Sequence, residues 1–250
     1  AYHWSKVGTR RLVILEGNEA ASGAAGRNGG IVVMAGGNFH GYYVYEPVLN
    51  YMAQVFPKMS VEEREQRTTD FVAVYVRALQ ASHRMIKEVL VSEKIECDYE
   101  QRGWIFFADE VTSSKLETSL QMGDRLDHSD WVRRTPAEIA DRCGVATDRD
   151  GAESLGSATW HPAKWVWGLL QAAIKNPNVE LFTQTMVDRV ERVGDGYLVS
   201  TKRGDIRARH VVNATESHTP VVFGNFLDPF PDLITPYKEQ GMRAEGGPTT

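Results

Sequence analysis

The sequence is poor in cysteine, with two in 250 residues, Cys97 and Cys143. Two thiols build no disulfide framework, and without paired spacing they build no zinc site. Both read as reduced thiols of a reducing compartment, so the expected localisation is cytoplasmic. A positive excess is missing too. Lys and Arg total 28 against 33 Asp and Glu, a formal net charge of −5, which argues against a nucleic-acid partner. No apolar run approaches the ~20 residues of a membrane-spanning helix, so no membrane partner is expected. The opening Ala1-Tyr2-His3-Trp4-Ser5-Lys6 has the pattern of neither a signal nor a transit peptide. There is no His-Glu-x-x-His zinc motif and no Gly-x-Ser-x-Gly nucleophile elbow, so no metal ligand is assigned and no catalytic residue stands out. Internal repeats and low-complexity tracts are also lacking.

What is present is an ordinary globular composition, 42% hydrophobic and 24% charged, enough for one large domain or two interleaved ones. Residues 2–7 read as a helix end stopped by Gly8. Leu12-Val13-Ile14-Leu15 reads as a strand buried on both faces, typical of a parallel sheet. Residues 47–56 and 62–94 carry helical periodicity, with Phe71, Val74, Tyr75, Ala78, Leu79, Ser82, Met85, Ile86 and Val89 marking the apolar face of the second. Trp104 to Phe107 reads as a strand, 113–126 and 136–142 as helices, and Pro162 opens a helix to about Lys175. Val179–Phe182, Val187–Val193, Tyr197–Thr201 and Ile206–Ala208 read as strands with turns at Gly194-Asp195-Gly196 and Arg203-Gly204-Asp205. His210 to Thr215 reads as one more apolar strand. Asn213-Ala214-Thr215 is formally a glycosylation sequon, but its place after Val211-Val212 predicts burial. The mixture is α/β, α+β overall.

A dinucleotide-binding unit runs strand, glycine-rich turn, helix, strand and acidic residue, the acid bonding a ribose hydroxyl. Here Leu12–Glu16 matches the second strand with its acid. Only 15 residues precede Glu16, so the first strand and the G-x-G-x-x-G turn are expected to precede residue 1.

Ala1-Tyr2-His3-Trp4, Val13-Ile14-Leu15-Glu16 and Ala21-Ser22-Gly23-Ala24-Ala25-Gly26-Arg27-Asn28-Gly29-Gly30 together resemble the D-amino-acid-oxidase-like flavoproteins. That family includes glycine oxidase, sarcosine oxidase and γ-glutamylputrescine oxidase, and the Ser-Gly-Ala-x-Gly-Arg-Asn-Gly-Gly stretch is its most specific match. Trp160-His161-Pro162-Ala163-Lys164, Val179 to Val193, Val211 to Thr215 and Pro236-Tyr237-Lys238-Glu239-Gln240 follow in the family's order. The resemblance implies a Rossmann-like FAD-binding domain, 1–97 with 156–225, interrupted by a smaller antiparallel-sheet substrate domain, 98–155 with 226–250, both incomplete. It implies FAD as cofactor and a small-molecule amine or amino acid as substrate. Hydride transfer to the flavin would oxidise the C–N bond to an imine.

By the same resemblance Glu16 would bond the adenosine ribose. Ser22 and Gly23 would lie along the phosphates, and Arg27 would face the pyrophosphate or hold the loop. Asn28, Gly29 and Gly30 would pass close to the flavin ring, Val187 would meet the adenine, and Ala214 and Thr215 would sit near the pyrophosphate. One departure stands out: the family continues Ala-Thr-Gly where this chain has Glu216, a carboxylate where a pyrophosphate would repel it. Two other readings follow from the same residues. One is a non-catalytic, partner-dependent remnant that binds no flavin. The other is an NAD-dependent dehydrogenase, disfavoured by the loop after Glu16. His40, Tyr42 and Tyr43 are candidates to approach the flavin. Trp104, Phe106 and Phe107 read as a core strand that could instead line a pocket. His161 reads as capping or packing and Trp160, Trp165 and Trp167 as packing, while Arg133 and Arg134 could attract an acidic substrate.

Overall fold

The computed structural model describes residues 1–33, 44–107, 113–126 and 130–227. In chain order the elements begin α1 (Tyr2–Val7), β1 (Leu12–Leu15), α2 (Ala24–Arg27), β2 (Ile31–Val32), α3 (Glu46–Val55) and α4 (Val61–Glu93). There follow β3 (Trp104–Phe107), α5 (Ser113–Arg125), β4 (Trp131–Arg134), α6 (Pro136–Cys143), β5 (Gly151–Ser154) and β6 (Ala158–Thr159). The chain continues with α7 (Pro162–Ile174), β7 (Val179–Phe182), β8 (Val187–Val193), β9 (Gly196–Thr201), β10 (Gly204–Ala208), a 3-10 turn (Glu216–His218) and α8 (Thr219–Leu227). Contacts divide it into two units: Ala1–Gly29 with the described residues from Pro162 onward, and Gly30–His161.

In the first unit β1 pairs in parallel with β7, Leu12 opposite Val179 and Leu15 opposite Phe182. This is the parallel pairing that the continuous apolar run predicts. Helix α7 packs on α1, α2 and β7, and its Trp167 indole donates to Ala20 O at 2.9 Å. Strands β8, β9 and β10 form an antiparallel meander, turned at Gly194, whose φ of +59° suits glycine. Its core is Val190, Val199 and Val222, joined by Leu15, Val187 and Val211.

The expected strand at His210–Thr215 is absent: 210–215 carries no strand. Asn213 Oδ1 accepts from Thr215 N at 3.0 Å and from Thr215 Oγ1 at 2.8 Å, and its amide donates to Thr219 Oγ1 at 3.0 Å. These local bonds give the backbone an alternative to a ladder. Asn213 is exposed rather than buried, and the neighbouring Val212 keeps 85% of its surface.

In the second unit β5 lies between β3 and β4, antiparallel to both. Trp104, Ser154 and Trp131 stand in one row, and Ile105, Glu153 and Val132 in the next. Because side chains alternate across a sheet, Phe106, Ala152 and Trp131 share a face and pack with Leu116 and Leu120 of α5. Glu153, on the other face, meets Arg142 of α6. Helix α6 starts with a reciprocal capping box, Thr135 with Glu138, which satisfies two orphan donors.

Helix α4 corrects the periodicity reading. Its buried residues are Thr68, Val72, Val76 and His83, and Val72 and Val76 pack with Val44, Tyr45, Leu79 and Leu126. Phe71, Val74 and Met85 of the expected face are exposed. The helix carries apolar residues on two faces, and its packing partners select between them. Among the described residues no helix is long and apolar enough to cross a membrane.

Candidate functional site

The site builds from the end of β1. Glu16 N donates to Phe182 O at 2.9 Å, and Glu16 O accepts from Thr185 N at 2.8 Å. The residue therefore closes the parallel ladder at its C-terminal end, the edge at which open α/β sheets bind ligands. Its Oε1 accepts from Asn18 N at 2.9 Å, which orients the carboxylate and leaves Oε2 with no bond from the described residues. A Cβ on Gly17 would come within 2.7 Å of the Met186 methyl. The turn after Glu16 thus runs against the residue preceding Val187, and Val187 and Leu15 pack into one cluster. The residues beside Glu16 thus meet Val187 and the residue before it.

The loop that follows is held by its backbone. Ala21 sits at φ +67°, a left-handed conformation that few non-glycine residues adopt. Ser22 N donates to Glu19 O at 3.0 Å, and the Gln184 amide donates to Glu19 Oε1 at 2.9 Å. A Cβ at Gly26 would lie 2.0 Å from the Ala21 carbonyl oxygen, so only glycine closes this turn. At Gly23 a Cβ would meet nothing within 4 Å. Gly23 precedes α2, and it, Arg27 and Gly29 are all exposed. Asn28 has a local role: its amide donates to Ala24 O at 3.2 Å and Ala25 O at 3.0 Å, satisfying carbonyls at the end of α2. Gly30 belongs to the second unit, where it is buried at φ +67° and its carbonyl accepts from Trp160 N at 2.8 Å.

At the other turn Ala214 is exposed, and Thr215 is tied to Asn213. Glu216 stands at φ +48°, the region that favours glycine. The backbone therefore keeps the shape that a glycine would adopt while the side chain is a carboxylate. Sequence reasoning missed the strained Ala21 and the Asn213 turn; the Asn-x-Thr pattern is a signal for the second.

Other candidates sort by their partners. Trp104 meets Trp131 edge-on at 5.9 Å and the half-buried Phe106 packs against the α5 cluster; the Phe107 side chain lies outside the described residues. Arg133 pairs with Glu117 and Asp150, and Arg134 with Glu153, so neither guanidinium is an open receptor for an acidic substrate. His40, Tyr42, Tyr43 and the Pro236–Gln240 stretch also lie outside the described residues.

A parallel strand ending in an acid, followed by a loop that glycine alone can close, is the arrangement at which open α/β sheets place their ligands. The FAD dependent oxidoreductase family (DAO) model matches residues 1–249, and the chain belongs to that family. FAD is the family's cofactor, which sets aside the nicotinamide alternative. No curated protein matches the chain in sequence. Among solved structures it is similar to glycine oxidase from Geobacillus kaustophilus, at TM-score 0.63 and 16% identity over 90% of this chain and 54% of that one. L-amino acid deaminase from Proteus vulgaris gives 0.64 and 15% over 90% and 46%. Iminodiacetate oxidase from a Chelativorans species gives 0.62 and 15% over 89% and 53%. At these identities the likeness establishes the fold. The chain spans about half the length of the structures it matches.

Proposed function

We propose that this chain belongs to an FAD-dependent oxidoreductase that oxidises the C–N bond of an amine or amino acid to an imine. The observation that carries the reading is the loop from Glu16 to Gly29: an oriented carboxylate, a glycine that cannot be replaced and a neighbouring glycine facing open space. These features fit a dinucleotide. Glu16 would hold the ribose through its remaining oxygen. Ser22 and Gly23 would follow the phosphates, Arg27 would supply the counter-charge, and Val187, Ala214 and Thr215 would complete the nucleotide side. Gly29 and Gly30 would line the ring side, where small residues leave room for close approach. When bound, the flavin accepts the hydride from the carbon next to nitrogen. The protein's task is then alignment and exclusion of water, which needs no strong acid or base. The catalytic domains are proposed as 1–97 with 156–225 on the cofactor side and 98–155 with 226–250 on the substrate side, and the substrate as a small-molecule amine or amino acid.

The test is titration of the purified chain with FAD, followed by flavin absorbance retained after gel filtration and by tryptophan quenching. Retained flavin that Gly23→Leu abolishes without lowering the thermal midpoint supports the site. Protein that stays colourless while folded overturns flavin binding by this chain and favours the partner-dependent reading. Retained flavin in both proteins overturns the placement of the phosphates along Gly23.

A further inference from the structure

His83 is buried on the core face of α4, and its Nε2 lies 3.2 Å from the Tyr99 hydroxyl. One turn on, Lys87 Nζ donates to Gln101 Oε1 at 2.5 Å. Helix α4 is thus tied twice to the segment that follows it, and the Gln101 amide continues to Leu155 O at 3.4 Å. This segment, Cys97 to Gly103, is laced to the strand beside it. Glu100 and Thr159 exchange both backbone bonds, at 2.9 and 2.8 Å, and Gly103 N donates to Ser157 O at 3.0 Å. His161 N donates to Cys97 O at 2.7 Å and Trp160 N to Gly30 O at 2.8 Å. Strand β6 in turn pairs with β2, which leaves the glycine loop at Gly30.

We propose that His83 is a proton-operated latch: the neutral ring holds the Cys97–Gly103 segment against β6, which fixes the backbone of Gly30–Val32, and protonation releases it. The groups facing the ring are Lys87 on its own helix, Tyr99 on the latched segment, and Asp130 ahead of β4, with Cys97 acting on Tyr99. Burial keeps the Tyr99 phenol neutral by raising its pKa. Asp130 is itself occupied by Ser154 Oγ and by Gly156 N, the latter at 2.7 Å. The Tyr99 oxygen could accept a bond from an imidazolium, so the hydrogen bond itself does not oppose protonation. Enclosing a cation beside Lys87 does. Burial first, and Lys87 second, hold the ring below the ordinary histidine range, with Asp130 opposing in part. The ring therefore charges when the segment opens, and opening becomes more probable as acid is added. The sign follows. The closed state holds fewer protons than the open one, so its stability is complete above the ordinary histidine pKa of ~6.5 and is lost as pH falls from there towards the lowered closed-state value.

The latch concerns this chain's own hydrogen bonds, so its test is independent of flavin binding. Backbone amide exchange of Gly103, Thr159, Trp160 and His161 is measured one pH unit above and one below the ordinary histidine value, corrected for intrinsic exchange. Protection of these amides falls at the lower pH, by at most roughly tenfold for one titrating group over this window, while the β8–β9 amides hold. His83→Gln, which cannot charge, keeps its protection equal at both pH values. Unchanged wild-type protection, or the same fall in His83→Gln, overturns the latch. Should His83→Gln fail to fold, the wild-type ring titration by NMR decides: a pKa below the ordinary value supports the latch, and one at or above it overturns it.

Discussion

The glycine loop after β1 and the sheet β3–β5–β4 are built on opposite principles. The loop has almost no side chain to bury: its shape comes from Ala21 at φ +67°, from Gly26 against the Ala21 carbonyl, and from backbone bonds. The sheet encloses a charge. Glu153 keeps 1% of its surface and is met by Arg134 Nε at 2.7 Å and by Arg142. A cofactor edge needs bare backbone with room in front of it. A small sheet covered by α5 and α6 needs side chains that name its neighbours. The loop should therefore fail through added atoms and the sheet through removed ones.

The largest effect is predicted in the sheet. Glu153→Ala leaves Arg134, with about a fifth of its side chain exposed, beside an empty buried space. Loss of one member of a buried pair costs about 3–5 kcal/mol. The value should fall at the lower end, because the half-exposed Arg142 can turn to water. Urea unfolding measures it, and a loss under about 1 kcal/mol would place this carboxylate with ordinary surface pairs.

Next comes the loop, probed by adding one carbon at two positions. Gly26→Ala drives a Cβ into the Ala21 carbonyl, an overpacking that backbone movement has to relieve, at a cost of about 2 kcal/mol. Gly23→Ala meets nothing and should change stability by no more than about 0.5 kcal/mol. Thermal midpoints of the two variants check the contrast. Equal midpoints would mean that the turn relaxes freely and that the loop is not a fixed cradle.

The same contrast explains what could be read in the sequence. The first unit was legible because its signals are local. The apolar run at 12–15, the turns at 194–196 and 203–205, and the glycine-rich stretch at 20–30 each carry their own period or turn chemistry. The sheet was half legible. Trp104 to Phe107 declares a strand, but its partner Gly151-Ala152-Glu153-Ser154 has weak β propensity, and its pairing alone makes it a strand. Helix α4 was readable as a helix but not in its orientation, because Phe71 and Val72 are both apolar and only the packing around Val44 and Tyr45 chooses between them. At Glu16 and the loop, resemblance alone nominates the candidate site. The Asn213 turn was lost because Val211-Val212 outweighed the Asn-x-Thr pattern, and nothing in the resemblance signals the bonds that the Asn28 amide makes to the end of α2.

Glu216 offers a gain instead of a loss. Its φ of +48° costs a side chain about 1 kcal/mol relative to glycine. Glu216→Gly should raise the unfolding free energy by roughly that amount, less the extra freedom glycine has when unfolded. If Ala214 and Thr215 lie beside the pyrophosphate as proposed, it should also tighten FAD binding by removing a neighbouring carboxylate. A midpoint that falls would show that the Glu216 side chain contributes more than its backbone costs.

The smallest effect returns to the strands that frame the loop. Arg11 grips Glu180 across β1 and β7, Nε to Oε1 at 2.6 Å and Nη2 to Oε2 at 3.0 Å. The fork holds the Glu180 carboxyl below the usual range. A carboxyl lowered in the folded state adds stability above its unfolded pKa and loses it as pH falls through the folded value. Both side chains are exposed, so solvent and salt screen the pair. Arg11→Ala should lower the midpoint slightly at neutral pH and low salt, and not at all in molar salt or at a pH where Glu180 is protonated. A loss that persists in salt and acid would mean that Arg11 acts by packing its stem along β7. This edge would then resemble the sheet of the second unit, held by atoms in place, more than the backbone-built loop beside it.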